Sequence, residues 1–159
     1  MEDQRFKTMR HIEAVRNHID MFIRFLMHRA EKHDQSKLEA PEREYFDKYT
    51  PLLRDLEYGS EEYKSCLREM KPAIEHHNRH NSHHPEHFQN GILDMNLADI
   101  VEMLCDWRAA SMRHETGDIY KSIQINQKRF GFSDDLARIL KNTASSFEMA
   151  SPFTRADES

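Results

Sequence analysis

Apolar residues recur at three- and four-residue steps almost from the first position. Met9, Ile12, Val15, Ile19, Phe22 and Leu26 line one face of a helix predicted over roughly 6–29. His11, Val15, His18, Phe22 and Phe25 form a second stripe beside it, which places His11 and His18 on the half expected to face inward. Polar residues from Glu31 to Glu39 then break the pattern. A second helix is predicted from near Pro41, a residue tolerated in a first turn, carrying Tyr45, Phe46, Tyr49, Leu52 and Leu53, with Pro51 bending or dividing it. Gly59-Ser60 marks the next break, with Ser60 as N-cap, and Tyr63, Cys66, Leu67, Met70, Ile74 and His77 share the following face. Pro72 predicts a bend near Lys71. Residues 80–90 read as a polar loop or a short helical turn. Asn96 with Asp99 three residues on predicts another helix start, followed by Leu97, Ile100, Val101, Leu104, Trp107 and Ala110. Gly117-Asp118 and Gly131-Phe132-Ser133 bracket two more helices, bearing Ile119, Ile123 and Phe130, then Leu136, Ile139 and Leu140. The expected architecture is all-α: one helical domain over 5–143, then a loosely held tail over 144–159 in which the periodicity fades.

Composition narrows this picture. Only 4 Gly and 5 Pro in 159 residues disfavour sandwiches and doubly wound sheets, which need many tight turns. A net charge of -5 argues against extended, non-specific nucleic-acid binding, which depends on neutralising phosphates. No apolar run reaches the ~20 residues of a membrane span, the first residues lack a secretory signal, and two cysteines make no disulfide framework; cytoplasmic residence is expected. Histidine is the outlier, with 11 in the chain and six of them between His76 and His87.

That histidine content directs attention to metal chemistry. His33-Asp34 follows a long helix, and an imidazole next to a carboxylate suits borderline divalent ions. Downstream come His77 and His83-His84-Pro85-Glu86. Asp99, Glu102, Asp106 and Arg113 draw a polar line along an otherwise apolar helix. A carboxylate facing inward costs free energy unless a cation compensates it, which is the reason to read Asp106 as a ligand. A Gly-rich phosphate loop, a G-x-S-x-G elbow, paired CxxC and Glu-x-x-His are all absent.

The order His11/Val15, His33-Asp34-Gln35-Ser36-Lys37, His77/Asn81/His83-His84-Pro85-Glu86 and Glu102 to Trp107 resembles the HD superfamily of helical, metal-dependent phosphohydrolases. More narrowly, it is similar to a family of small bacterial and phage proteins without an assigned activity. The resemblance spans roughly Thr8 to Thr143 and implies an HD-like helical bundle. It implies that His11, His33, Asp34 and Asp106 hold a first metal, with His77 and one of His83 or His84 completing it or binding a second. His18 competes with His11 for the first position, whereas His28 lies too near His33. The implied cofactor is one or two divalent ions among Mn, Fe, Co, Zn and Mg.

The leading expectation is hydrolysis of a nucleotide or related small phosphoester by metal-activated water. Lys37 would meet the anionic group, Arg79 would clamp phosphate with Arg108 and Arg113 as alternatives, and Glu102 or a cluster histidine would shuttle the proton. Two further readings stand beside it. Some HD proteins use four His and two Asp around two irons to activate oxygen, and the resemblance implies His11, His33, Asp34, His77, His84 and Asp106 as that set; a closed coordination sphere would instead serve a non-catalytic interaction module. The sequence leaves the oligomeric state open.

Overall fold

The computed structural model describes residues 4–56, 60–113 and 117–150. Seven α-helices account for most of them, and no strand occurs among the described residues. They are α1 (Gln4–Lys32), α2 (Glu42–Asp55), α3 (Glu61–Glu69), α4 (Lys71–His80), α5 (Leu97–Ser111), α6 (Ile119–Phe130) and α7 (Asp134–Ala150). Gly59 and 151–159, read above as a break and as the end of the tail, lie outside the described residues.

Local chemistry accounts for most of the boundaries. The Ser60 hydroxyl accepts the Tyr63 N–H and opens α3, as expected. Pro72 sits in the first turn of α4, so the predicted bend becomes a division at Met70. Pro51, by contrast, is accommodated inside α2. Asn96 and Asp99 form a reciprocal capping box at the start of α5. Gly131 ends α6 at φ +67°, left-handed backbone that glycine adopts without a Cβ penalty.

The core lies among α5, α6 and α7. Met103, Leu104, Ile119, Ile123, Leu140 and Ala144 are buried there, and Trp107 stacks 6.3 Å from Phe130 and 6.4 Å from Phe132. Leu97 and Ile139, which share the apolar periodicity, are exposed instead. The tail expected from residue 144 is also revised. α7 continues to Ala150, because Ala137, Leu140, Ala144 and Phe147 repeat at helical spacing and pack on the core, while Ser145 and Ser146 face solvent. Glu42 from α2, His77 from α4 and the 81–84 loop lie to one side of this core, against the C-terminal end of α1 and the inner face of α5.

Candidate metal centre

His33 and Asp34 come together because α1 stops there. Asp34 takes left-handed backbone, φ 58° and ψ 9°, a conformation that Asp tolerates better than most residues. A short turn, Gln35–Leu38, follows and leads into α2. The His33 and Asp34 side chains thereby meet α4, the 81–84 loop and α5. Three overlapping groups have donor atoms within 4.8 Å of one another: Asp34 with His77, His83 and His84; His33 with Asp34 and Asp106; and His33 with His83 and Glu102. These groups are close enough to hold a metal ion.

The geometry inside the cluster favours a cation. Nε2 of His77 lies 3.1 Å and Nε2 of His83 lies 3.6 Å from Oδ1 of Asp34. On the other side, Nε2 of His33 stands 3.6 Å from Oδ2 of Asp34 and 3.8 Å from Oδ1 of Asp106. Asp34 Oδ1 and Nε2 of His77, His83 and His84 are buried without a hydrogen-bond partner. Four unpartnered buried polar atoms converging on one point are costly in protein alone. Nitrogen and oxygen donors of this kind fit a divalent ion of intermediate softness, so the residues present suit the metal expected from the sequence.

Outer groups set the tautomers. Nδ1–H of His77 donates to Oε2 of Glu42 at 2.8 Å, and Nδ1–H of His76 donates to Oε1 of the same carboxylate at 2.7 Å. Ser36 donates to Glu42 as well, at 2.9 Å. Nδ1–H of His33 and of His83 both donate to Oε1 of Glu102, at 2.8 and 3.1 Å. The rings of His33, His77 and His83 therefore turn their Nε2 lone pairs inward, the arrangement that outer carboxylates impose on metal-binding histidines. Arg29 ties the assembly to α5, 2.7 Å from Glu102 and 2.8 Å from Asp99, and it donates to Ser82 at 3.0 Å. Asp99 in turn accepts from Ser82 at 2.7 Å.

Charge follows from these contacts. Burial alone would raise the Asp34 carboxyl, but the adjacent His77 ring and the hydrogen-bonded, charged Lys37 ammonium hold it well below the usual carboxylate range. Burial acts the same way on Glu102, and bonds from His33 and His83 with the Arg29 charge outweigh it. Glu42 is likewise lowered against its burial by His76, Ser36 and His77. The hydrogen bond to Glu102 raises His33, with burial opposing it. Burial pushes His84 down to about 3, helped by the neighbouring His83, His77 and Lys37. Neutral His84 is thus the ligand-competent form at ordinary pH.

Of the residues expected at the site, the fold brings together His33, Asp34, His77, His83, His84 and Asp106. His11 is a correction. α1 is one continuous helix, so His11 stands about 30 Å from His33 along its axis, exposed to solvent together with His18. Its helical stripe does not turn back over the cluster. Arg79 is a second correction: it lines a separate cleft with Pro41, Tyr45 and His76 at the far side of α4, and its carbonyl accepts from His87. Lys37 is bound to Asp34 and lies 5.2 Å over the Phe46 ring, so it braces the Asp34 carboxylate rather than reaching outward. Glu102 is held by two histidines and an arginine, which makes it a positioning group for His33 and His83.

Sequence reasoning missed Glu42 and Arg29. Glu42 is wholly buried although it reads as an ordinary first-turn acid. The available signal for Arg29 was its place one helical turn before His33. A cavity of about 360 Å³ opens beside the cluster, walled by Leu26, Ala30, Val101 and Ala109 and floored by His33 and Asp106.

A family model described as a family of unknown function, DUF5662, matches residues 1–146. The chain belongs to the DUF5662 family. No curated protein and no solved structure matches it. The DUF5662 match covers all six clustered donors together with Glu42, Arg29 and Glu102.

Proposed function

We propose that this DUF5662 protein is a metal-dependent phosphohydrolase acting on a small phosphoester such as a nucleotide. One observation carries the reading: four buried polar atoms, on Asp34, His77, His83 and His84, face one another without partners. The resemblance of the His-Asp order to HD phosphohydrolases supplies the reaction class. Asp34, His77, His83 and His84 would hold a divalent ion that, when bound, would supply Lewis acidity and lower the pKa of water from about 15.7 towards 7. The chain's own residues do the rest. Glu42 and Glu102 hold the imidazoles in register, Lys37 keeps Asp34 ionised, and His33 and Asp106 form the edge that meets the adjoining cavity. The cavity is the place for the leaving group.

The test is elemental analysis of untagged protein, followed by a phosphoester and nucleotide panel with the metal found. The expected result is one or two ions per chain and phosphate release, both lost in Asp34→Ala. An Asp34→Ala protein that retains metal and turnover refutes the reading, and bound metal without turnover across the panel favours a structural role.

A second reading rests on a different observation. With His83 in the place expected for His11, four histidines and two aspartates occupy two adjoining groups that share Asp34, and the cavity walls are apolar. That set suits two irons and an uncharged substrate. Two irons per chain with a visible absorption band, and no phosphate release, would favour oxygen activation.

A further inference from the structure

The metal cluster is closed at one edge and open at the other. The side chains of His77 and His83 are 4% and 2% exposed, whereas those of His33 and Asp106 are 28% and 24% exposed. His33 and Asp106 also floor the cavity of about 360 Å³ between the last turns of α1 and α5, so a ligand that meets the donors at this edge lies along the cavity. Room exists there because the facing side chains are short: Ala30 on α1, and Val101, Cys105 and Ala109 on α5. With Leu26 they make walls that carry no strong hydrogen-bond donor or acceptor. Arg29 and Glu102 complete the lining, and both are engaged already. Arg29 is held by Asp99, Glu102 and Ser82, so two carboxylates balance its charge. Glu102 is held in turn by His33 and His83.

We propose that this cavity receives an uncharged, apolar leaving group, so that the substrate is the phosphomonoester of a hydrocarbon alcohol and not a nucleotide. The inference rests on the hydrolase reading above and narrows its substrate. Size agrees with it: a cavity of about 150 Å³ holds benzene, and 360 Å³ takes a group of about two fused rings. Polarity, not bulk, turns a nucleoside away. Its base edge and ribose hydroxyls would leave water for walls that return no hydrogen bond. A second or third phosphate would lie near the Glu102 and Asp106 carboxylates, with the one lining guanidinium already paired. In the reaction, water adds to phosphorus and the bond to the leaving oxygen breaks with its electron pair on that oxygen. A proton from the water ends there, giving the alcohol and inorganic phosphate.

The experiment compares naphthylmethyl phosphate with adenosine monophosphate, esterified at its primary hydroxyl, on the full chain with the metal it is purified with. Both esters release a primary alcohol, so their intrinsic reactivities are alike and the ratio of kcat/KM reads the cavity. The naphthyl ester is expected to be favoured at least ~100-fold. Calorimetric binding of naphthylmethanol needs neither metal nor turnover. Ala109→Phe, which fills the cavity from an exposed position, is expected to weaken that binding at least ~10-fold with metal content kept. Phe153→Ser is measured alongside, because 151–159 lie outside the described residues and Phe153 is their one large apolar side chain. Equal or better use of adenosine monophosphate overturns the inference and leaves the hydrolase reading standing. Phosphate release from neither ester overturns both. The inference also fails if naphthylmethanol does not bind, or if Ala109→Phe binds it as well as wild type. Tighter binding by Phe153→Ser fails it too, and assigns the cavity to the chain's own C-terminal residues.

Discussion

Asp34 combines three properties in one residue: left-handed backbone, a carboxylate held ionised by its neighbours, and membership of two of the three ligand groups. Strained backbone of this kind persists where surrounding structure over-determines it, and here His77 and Lys37 fix the side chain. Glu42 acts one step further out. Glu42→Gln keeps the shape but weakens the orientation of His77, and metal affinity measured by calorimetry should fall ~10–100-fold. Glu42→Ala leaves two imidazoles facing a void and should also cost on the order of 3–5 kcal/mol in urea unfolding. His11→Ala should leave both quantities unchanged, because His11 is exposed on α1 far from the cluster. The donor residues were legible in the sequence because His next to Asp, and a run of histidines after an amphipathic helix, are unusual local patterns. Glu42 was not, since a helix-start glutamate is ordinary until the fold buries it.

Helix ends set the site at the next scale. The capping box at α5 fixes Asp99, and Asp99 fixes Arg29 and Ser82. Asn96→Ala should therefore cost about 1 kcal/mol in denaturant unfolding, as N-cap losses do. Asp99→Ala should exceed that, because Arg29 loses a buried partner and Glu102 loses its brace. Gly131→Ala tests backbone alone: nothing lies within 4 Å of the added Cβ, so the expected loss of about 1 kcal/mol comes from φ +67°. Most boundaries were readable beforehand from Ser60, Pro72, Asn96 and Gly131, whose capping and turn chemistry is local. The end of α7 was not, since Ser145 and Ser146 conceal the stripe that ends at Phe147 until a core lies on the other side.

For the whole molecule, pH acts through the residues that are close enough to hold a metal. In metal-free protein, His84 is pushed down to about 3, so between that value and 6.5 the unfolded chain binds the extra proton. Stability then rises with pH across that window, and the lowered Asp34, Glu42 and Glu102 add to it at its acid end. His33 runs the other way. Its raised pKa contributes stability that is full below 6.5 and lost as pH climbs through its folded value. Thermal melts of chelator-treated protein should show a steep acid limb and a shallower decline above neutrality. A divalent ion that binds the cluster should raise Tm, with ~2.7 kcal/mol of stabilisation at a hundredfold excess over Kd, reversed by chelator. Metal uptake should release protons in unbuffered solution, since His33 is partly charged without it.

The amino-acid order alone determined an all-helical chain, because period, caps and breakers act within a few residues. It also determined which residue types were available for metal binding. Tertiary structure decided which of them meet: α1 runs on without a break and carries His11 away, while the turn at Asp34 and the packing of α4 against α2 bring His77 to His33's neighbour and bury Glu42 behind it. Convergence of residues separated by up to 73 positions, from His33 to Asp106, depends on which helix faces pack together. Spacing along the chain constrains that packing only weakly.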